Sequence, residues 1–338
     1  MKPFSFQRAQ TASAAIHAIA TGSGKFLAGG TNLVDLMKMG LEQPSTLIDI
    51  GGLNLAQVTA SANGGVSIGA MVRNSDLADH PLIRQHYPLL SQALLSGASP
   101  QLRNMATTGG NLLQRTRCSY FMDTAFPACN KRTPGTGCAA IKGFNRSHAI
   151  LGVTDRGSDG GETCIATNPS DMNVALAALN ATVHVQNLKG SRAIPIAAFH
   201  RLPGSEPHLD ATLRPDELIT AVTLAPPLFA ANSYYLKVRD RNSFAFALIS
   251  VAAGIEMRGT TISSVGLALG GVAAKPWRSL EAEDSLVGAA PDPVAFRRAA
   301  ELALAGARGY QYNSFKIELA KLAIVRALTQ AAHGGRAA

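Results

Sequence analysis

Charged residues are few in this sequence: Asp, Glu, Lys and Arg make up 16% of its 338 residues, whereas 46% are hydrophobic. That balance argues against a disordered chain, and the length allows two or three domains with a sizeable core. No stretch approaches about 18 consecutive apolar residues, so no membrane-spanning helix is predicted. Met1–Gln10 contains Lys2 and Arg8, but no apolar run follows, so we expect a soluble chain without its own signal peptide.

Several common motifs of nucleotide-binding and hydrolytic proteins are also missing. There is no G-x-G-x-x-G fingerprint, and Gly24-Lys25 is followed by Phe26 where a Walker loop needs Ser or Thr. The eight histidines form no H-x-x-x-H or Cys/His ligand pattern, and no Ser/His/Asp arrangement is evident. The net charge of +9 is dispersed, which argues against nucleic-acid binding and fits an anionic cofactor with an acidic partner surface.

Hydrophobic periodicity divides the chain into three units, with no internal repeat. The first unit, 1–55, has the pattern of a small α/β unit. The second, 56–215, has the same α/β pattern, interrupted by a long irregular insert at about 115–167. In the third unit, 216–338, an antiparallel meander is followed by two helices. The predicted meander strands are Glu217–Leu224, Ser233–Arg239, Phe244–Glu256 and Thr261–Leu269, and the helices lie near Val294–Ala305 and Phe315–Ala332.

Two pairs of adjacent glycines mark candidate phosphate sites. In Ala28–Asn32 an apolar strand runs into two glycines and then a helix, so backbone N–H groups converge where the helix dipole is positive. In Thr107–Leu112 the glycines allow close backbone approach, and the flanking Thr and Asn side chains can bond phosphate or ribityl hydroxyls. Each turn alone also fits an ordinary strand-to-helix connection. Two of them in consecutive α/β units would let a dinucleotide lie between them.

The sequence resembles the FAD-binding subunits of the xanthine dehydrogenase and carbon monoxide dehydrogenase group of molybdenum hydroxylases. Within that group it is most similar to the flavin subunit of bacterial three-subunit, periplasmic-type aldehyde oxidoreductases. The likeness covers essentially the whole chain and rests on Lys25–Leu33, Thr107–Leu113, 169–171, 216–219 and Lys237–Ser243. It implies an α+β fold: two α/β FAD-binding subdomains of the PCMH type, followed by a C-terminal domain of antiparallel sheet plus helices.

By this resemblance the first glycine turn surrounds the FAD pyrophosphate, and the second holds the ribityl and phosphate side. Asp171 matches an aspartate that contacts the flavin nucleotide, Ile219 an apolar contact, and Lys237 a lysine beside the cofactor. Without the resemblance, Lys237 would be predicted as a solvated strand residue. We expect non-covalent FAD, because neither turn contains His or Cys. The expected FAD contacts are Phe26, Leu27, Ala28, Gly29, Gly30, Thr31, Asn32, Leu33, Val34, Thr107, Thr108, Gly110, Asn111, Asp171, Ile219 and Lys237.

The sequence departs from the family pattern in the distance between Asn111 and Asp171. The matching family residues are usually about nine positions apart, whereas these are 60 apart, so about 51 residues are inserted between two halves of one site. His148, the single histidine of the insert, is expected at the surface. The chain's four cysteines all lie in the insert: Cys118, Cys129, Cys138 and Cys164. Basic residues near them, which could lower the cost of an anionic centre, are Arg115, Arg117, Lys131, Arg132, Lys142 and Arg146.

Cysteine chemistry leaves several interpretations of this insert open. Two disulfides are possible, although a chain of this size hardly needs them. Structural zinc usually takes ligands paired a few residues apart, whereas 10, 8 and 25 residues intervene here. Four thiolates of a loose loop suit a [4Fe–4S] cluster. Spacing alone does not separate cluster, zinc and free thiols. The resemblance favours the cluster, because the aldehyde oxidoreductase and 4-hydroxybenzoyl-CoA reductase branches have a cluster-bearing insert here.

The resemblance implies an electron-transfer subunit. A large subunit with the molybdenum cofactor would oxidise an aldehyde to its acid, a small [2Fe–2S] subunit would pass the electrons on, and FAD in this chain would deliver them to an external acceptor. The heterotrimer would reach the periplasm through a partner with a signal peptide; otherwise the chain would stay in the cytoplasm. Two alternatives are the flavin subunit of a 4-hydroxybenzoyl-CoA reductase-like enzyme and a non-catalytic assembly module whose insert binds zinc.

Overall fold

The computed structural model describes residues 1–22, 24–153 and 164–335, so residues 154–163 of the predicted insert lie outside the described part of the chain. The strands are β1 (Ser5–Arg8), β2 (Gly24–Leu27), β3 (Thr46–Asp49), β4 (Val58–Ala60), β5 (Val66–Gly69), β6 (Thr182–Asn187), β7 (Gly190–Pro195), β8 (Leu218–Leu224), β9 (Ser233–Val238), β10 (Ile249–Arg258), β11 (Thr261–Gly270) and β12 (Trp277–Arg278). The helices are α1 (Ala12–Ala20), α2 (Leu33–Lys38), α3 (Asn74–Asp79), α4 (Pro81–His86), α5 (Pro88–Ser96), α6 (Pro100–Arg103), α7 (Thr108–Leu112), α8 (Ser119–Met122), α9 (Ala139–Lys142), α10 (Asp171–Ala178), α11 (Ile196–Phe199), α12 (Leu280–Asp284), α13 (Pro293–Ala303) and α14 (Phe315–Ala332).

A parallel sheet of three strands, in the order β1-β3-β2, forms the first unit. Helix α1 contacts β2 and β3; Thr11 caps its first turn by accepting a hydrogen bond from the Ala14 N–H, and Ile16 is buried. Because parallel strands end at the same edge, Leu27 of β2 pairs with Asp49 of β3 where the chain leaves the sheet. The first glycine turn begins at that edge.

A five-stranded sheet in the order β4-β5-β8-β6-β7 forms the second unit, and its neighbouring strands are antiparallel. Buried and partly exposed residues alternate along β6, so Val183 and Val185 enter a core that also includes residues of α3, α5 and α10. Helix α10 is buried at every position because it contacts both α5 and the strands β10 and β11 of the next sheet. This helix therefore connects the second unit to the third.

A four-stranded antiparallel meander, in the order β12-β11-β10-β9, forms the third unit, and α14 packs on β9 and β10. The predicted meander is confirmed for three of its four runs and is wrong for Glu217–Leu224. That run forms β8 and lies between β5 and β6, because Val222 and Leu224 are buried in the core of the second sheet. The boundaries at residues 55 and 215 stay predictions. The α+β class is confirmed.

The described part of the insert contacts both the first and the third unit. Phe121 and Cys129 form a small buried cluster with Leu36 of α2. Ile150 and Leu151 lie in the core of the meander, and their N–H groups donate to the Val272 carbonyl at 2.8 and 3.0 Å. The insert is thus packed against the fold on two sides. Among the helices of the described ranges, none is both long and apolar enough to cross a bilayer.

Candidate FAD and cysteine site

The first glycine turn joins β2 to α2 and packs directly on the chain that leads into the second. Gly30 has a φ of +72°, a left-handed conformation that glycine adopts without strain. A Cβ on Gly29 would lie 1.8 Å from the carbonyl oxygen of Met105, so only glycine fits there. The Asn32 side-chain oxygen accepts a hydrogen bond from the Arg115 N–H at 3.1 Å. These contacts hold the first turn against both ends of the second.

The second turn begins α7 and is anchored on the end of β5. The Thr107 hydroxyl oxygen caps the helix by accepting a hydrogen bond from the Gly110 N–H at 3.2 Å. Thr108 is fully buried, and its N–H and hydroxyl both donate to the Val72 carbonyl, at 2.9 and 3.1 Å. Thr108 therefore fixes the turn to the segment that follows β5, while Thr107, which is itself buried, holds the N–H of the exposed Gly110.

Two cavities lie along these turns and share Gly30 and Gly110. The smaller has a volume of about 210 Å³ and is lined by both turns and by Ile219. The larger, of about 560 Å³, extends to Asn111 and Asp171. A volume of several hundred Å³ is typical of small-molecule sites. The expected FAD contacts line one or both cavities except Leu27, Thr108 and Lys237.

Asp171 begins α10 and accepts two side-chain hydrogen bonds. The Tyr235 hydroxyl donates to one carboxylate oxygen at 2.7 Å, and the Lys237 ammonium donates to the other at 2.8 Å. The side chains of Lys237 and Asp171 are 4% and 8% exposed, so Lys237 is not the solvated residue that its strand pattern alone indicates. Burial, together with the Asp171 charge, raises the pKa of Tyr235 well above its ordinary value. Sequence reasoning missed Tyr235, although alternate residues of a strand share a face and Tyr235 precedes Lys237 by two positions.

All four cysteines lie in the described ranges, and none of them forms a disulfide. Cys129 and Cys138 face each other across an isolated antiparallel bridge. Cys118 is the N-cap residue of α8, and Cys164 is the first described residue after position 153. Cys129 and Cys164 are buried, and Cys118 and Cys138 are partly exposed. The disulfide interpretation of the insert is therefore not realised in this structure.

The pKa values of the Cys118, Cys138 and Cys164 thiols respond to the neighbouring cysteines. Burial raises the pKa of Cys118 to about 12, and the neighbouring Cys164 and Cys138 add to the rise. Burial likewise raises the pKa of Cys164 to about 11, with contributions from Cys138 and Cys129, whereas the Lys131 ammonium opposes it. The four sulfurs thus form one electrostatic group. Within the described ranges, no three Cys, His, Asp or Glu side chains are placed to hold a metal ion.

Four of the six basic residues near the cysteines have acidic partners of their own. Arg115 bridges Glu42 and Asp210, both at 2.9 Å, and Lys131 donates to Asp210 at 2.5 Å. Burial alone would raise the pKa of Asp210, but the two cations outweigh it and the pKa is lowered. The expected charge compensation of the cysteines is therefore seen at Lys131, whose charge acts on Cys164. Further ion pairs of the insert are Arg117–Asp35 and Arg146–Asp240.

His148 is 3% exposed, so the prediction that it lies at the surface is wrong. Its Nε2 atom lies 3.1 Å from the sulfur of Cys118. Burial and the charge of Lys316 lower the pKa of His148 to about 4. A third cavity, of about 160 Å³, is lined by Cys118 and His148 as well as by Asp171. The insert and the Asp171 end of the larger cavity therefore border the same small space.

Known protein families match both parts of this architecture. Residues 2–227 match the FAD binding domain in molybdopterin dehydrogenase, and residues 234–331 match the CO dehydrogenase flavoprotein C-terminal domain. The chain belongs to the family of FAD-binding subunits of molybdenum hydroxylases. It is 50% identical to the aldehyde oxidoreductase FAD-binding subunit PaoB of Escherichia coli strain K12, over 98% of this chain and 99% of that one. The glyceraldehyde dehydrogenase medium chain of Sulfolobus acidocaldarius is 28% identical over 84% of this chain and 81% of its own.

Solved structures share the fold over nearly their whole length. The match to reconstituted CO dehydrogenase from Oligotropha carboxidovorans has a TM-score of 0.76 at 22% identity and covers 99% of this chain and 100% of that one. Quinoline 2-oxidoreductase from Pseudomonas putida 86 matches with a TM-score of 0.74 at 24% identity, over 99% of each chain. At sequence identities below 25%, these matches show a shared fold alone. The family resemblance stated from the sequence is confirmed, and the chain is an oxidoreductase subunit of that family.

Proposed function

We propose that this chain binds FAD between its two glycine turns and transfers electrons within a molybdenum enzyme that oxidises aldehydes to carboxylic acids. The main support is that both turns, Ile219 and Asp171 line two cavities with shared walls. Asn74 Oδ1, in a residue that lines the larger cavity, is buried without a hydrogen-bond partner among the described residues, which suits a polar ligand. The name of the Escherichia coli relative supports the aldehyde substrate. When bound, FAD supplies the redox chemistry, and the chain positions and tunes it.

The site residues have different proposed roles. Phe26 and the residues from Ala28 to Val34 surround the pyrophosphate, and Thr107, Gly110 and Asn111 hold the ribityl and phosphate side. Leu27 and Thr108 line neither cavity, and we assign them to the support of the two turns. Lys237, which is bound to Asp171, holds that carboxylate in place beside the flavin nucleotide.

Replacement of Gly30 with Val tests the FAD site. A β-branched residue at a φ of +72° is strained, and its Cβ would lie 3.1 Å from the Val34 side chain at the cavity wall. We expect soluble protein without flavin. Gly259→Val is the matched control, because Gly259 has a φ of +62° but no atom within 4 Å of its Cβ position. Full FAD occupancy in Gly30→Val would contradict the site. Acid precipitation of the wild type should release all of the flavin, since we propose non-covalent binding.

The four cysteines are proposed to bind one [4Fe–4S] cluster. Their sulfurs form one electrostatic group, and backbone N–H groups are directed at the sulfurs of Cys118, Cys138 and Cys164. The Ala166 N–H lies 3.4 Å from the Cys164 sulfur, and backbone hydrogen bonds also favour the thiolates of Cys118 and Cys138. A hydrogen bond to a sulfur favours its thiolate form, which is the form that binds iron. Purified protein should contain about four irons and four sulfides per chain; zinc without iron would contradict the cluster and leave the FAD proposal standing.

The partners are proposed to be a large subunit with the molybdenum cofactor and a small [2Fe–2S] subunit, which together with this chain form a heterotrimer. Electrons would pass from the [2Fe–2S] centres through FAD to an external acceptor. We also propose that the chain divides into the domains 1–55, 56–215 and 216–338, although β8 at the start of the third domain pairs with strands of the second.

We also propose periplasmic export of the folded complex through a signal peptide on a partner. If this chain is still exported after that signal is deleted, the export proposal is wrong.

A further inference from the structure

Asn74, the first residue of α3, brings an unused hydrogen-bond acceptor to the wall of the larger cavity. It lines this cavity and is 4% exposed. Its Oδ1 atom is buried and has no hydrogen-bond partner among the described residues. A buried polar atom without a partner is costly, and most such atoms in proteins are paired. The oxygen of Asn74 is therefore placed to receive a donor that enters the cavity.

The main chain holds Asn74 beside the second glycine turn. Its N–H donates to the Ala106 carbonyl at 2.8 Å, and the preceding residue, Arg73, pairs with Thr107 across an isolated antiparallel bridge. Ala106 lines the same cavity and directly precedes the turn. Asn74 is thus fixed next to the turn that is proposed to hold the ribityl side of FAD.

The side-chain acceptors of that turn are already in use. The Asn111 oxygen accepts two hydrogen bonds, from the Ser170 hydroxyl at 2.7 Å and from the Gln114 amide. An amide oxygen has two lone pairs, so this atom has no capacity for a third bond. The Thr107 hydroxyl oxygen already caps α7. A ligand hydroxyl that needs an acceptor beside this turn is therefore best served by Asn74.

The chemistry of FAD narrows the group that Asn74 can bind. Phosphate oxygens are acceptors at neutral pH, so the amide oxygen does not pair with the pyrophosphate. The donors of the flavin half are the ribityl hydroxyls and the ring N3–H. A hydroxyl both donates and accepts, so it suits either end of a side-chain amide. The ribityl chain is also the part of FAD assigned to the neighbouring turn, and its hydroxyls therefore fit best.

We propose that Asn74 is a further FAD-binding residue, whose side-chain oxygen accepts a hydrogen bond from a ribityl hydroxyl. The inference rests on the proposed function, because it requires FAD in the larger cavity. It also accounts for a buried amide oxygen that the fold itself leaves unpaired, since the cofactor completes the pair. The residue therefore serves FAD binding and not the stability of the FAD-free chain.

Asn74→Leu in the intact chain separates these two roles, because leucine has the same branched shape but neither donor nor acceptor. We expect about tenfold weaker FAD binding, as the loss of one hydrogen bond gives, measured by titration of FAD-free protein. In urea the FAD-free variant should be at least as stable as the wild type, since an unpaired buried oxygen has been removed. A loss of stability would mean that this oxygen is bonded within the fold and would overturn the inference.

Asn187→Leu is the control. Asn187 is also buried, but its amide donates to Asp216 at 3.0 Å and it lies outside both cavities. This variant should show the opposite pattern, with lower stability and unchanged FAD affinity.

FAD analogues that each lack one ribityl hydroxyl give a test that begins with the wild type. At least one of them should bind the wild type more weakly than FAD does, and Asn74→Leu should bind that analogue and FAD equally. FAD methylated at N3 should be affected alike in both proteins. Equal affinity of the wild type for FAD and every deoxy analogue, or a variant that loses discrimination at N3 instead, would overturn the inference. So would equal FAD affinity of the wild type and Asn74→Leu. A wild type that binds no FAD would overturn the proposed function itself.

Discussion

Ser170 donates a hydrogen bond of 2.7 Å from its hydroxyl to the side-chain oxygen of Asn111, across 59 positions of the sequence. The same hydroxyl oxygen accepts the Asn173 N–H at 3.0 Å and so caps α10. The pair therefore closes the loop that contains the four cysteines. It also sets Asp171, the next residue, beside the second glycine turn, where the larger cavity includes both Asn111 and Asp171.

Ser170→Ala should weaken both the helix and the FAD site. Loss of a side-chain cap lowers the free energy of unfolding by about 0.5–2 kcal/mol, and loss of the bond to Asn111 should weaken FAD binding. Urea unfolding and titration of FAD-free protein with FAD measure the two effects. Ser279→Ala is the control, because Ser279 caps α12 by accepting the Ala282 N–H and lies outside the cavities. Equal FAD affinities in the two variants would show that the Ser170–Asn111 bond does not support the site.

The buried pair of Asp171 and Lys237 should be strongly coupled. Lys237→Met leaves a buried carboxylate with the Tyr235 hydroxyl as its remaining side-chain partner, which should cost about 3–5 kcal/mol of stability. Adding Asp171→Asn to that variant should recover part of the loss, and a double-mutant cycle in urea measures the coupling. Arg297→Met breaks an exposed ion pair with Glu318 and should cost at most about 1 kcal/mol. Additive effects at Asp171 and Lys237 would rule out the coupling.

The parts of the fold that follow from local sequence were predicted well. The two glycine turns, the helices near 293–303 and 315–332, and the hairpins of the meander depend on residues close together in the chain. The run 217–224 was placed in the wrong sheet because a strand pattern reveals burial but not the partner strand. Its partners β5 and β6 lie far from it in sequence, and only packing of the whole core selects them.

The sequence predicted which positions belong to the candidate site, but it did not predict the contacts between them. The environment of Lys237 depends on Asp171, 66 positions away, and His148 is buried by residues near the C-terminus. A local sequence pattern does not indicate contacts between residues so far apart in the chain. Tyr235 is the residue that strand alternation could have indicated, since it shares a face with Lys237. The acidic partners of Arg115 and Lys131 are also remote in sequence, so the basic residues of the insert could be listed but not paired.

Lys316 should make stability depend on pH in the alkaline range. Its buried ammonium donates to the carbonyls of His148 and Gly271. Burial, together with the charge of Arg146, lowers its pKa from 10.5 to about 7. The unfolded chain therefore binds more protons than the folded chain between pH 7 and 10.5, so this residue makes stability rise with pH there. One proton contributes a slope of at most about 1.4 kcal/mol per pH unit.

Lys316→Met should remove that slope, as measured by urea unfolding at several pH values across the window. Contributions from other groups cancel when the variant is compared with the wild type. Lys321→Met is the control. Lys321 lies three residues from Glu318 on the same helix, its side chain is 23% exposed, and the variant should keep the wild-type slope. A wild-type slope in Lys316→Met would mean that the ammonium stays charged in the folded chain.

Cys129 connects the cysteine group to the first FAD-binding unit. It is 6% exposed and packs with Phe121 against Leu36 of α2, the helix that follows the first glycine turn. It also faces Cys138 across a backbone bridge. A change at this sulfur should therefore reach both the proposed cluster and the FAD site.

Cys129→Ser should remove the broad absorbance near ~400 nm that thiolate-bound iron gives and should weaken FAD binding. The sequence offers no fifth cysteine to replace the lost ligand. Thr136→Ala is the matched control, because the Thr136 hydroxyl accepts the Cys129 N–H at 3.1 Å and its removal disturbs the same loop without removing a sulfur. Iron, sulfide and flavin are measured on anaerobically purified protein of both variants. Full iron in Cys129→Ser would exclude this residue as a ligand; loss of iron with unchanged FAD affinity would show that the insert does not brace the flavin site.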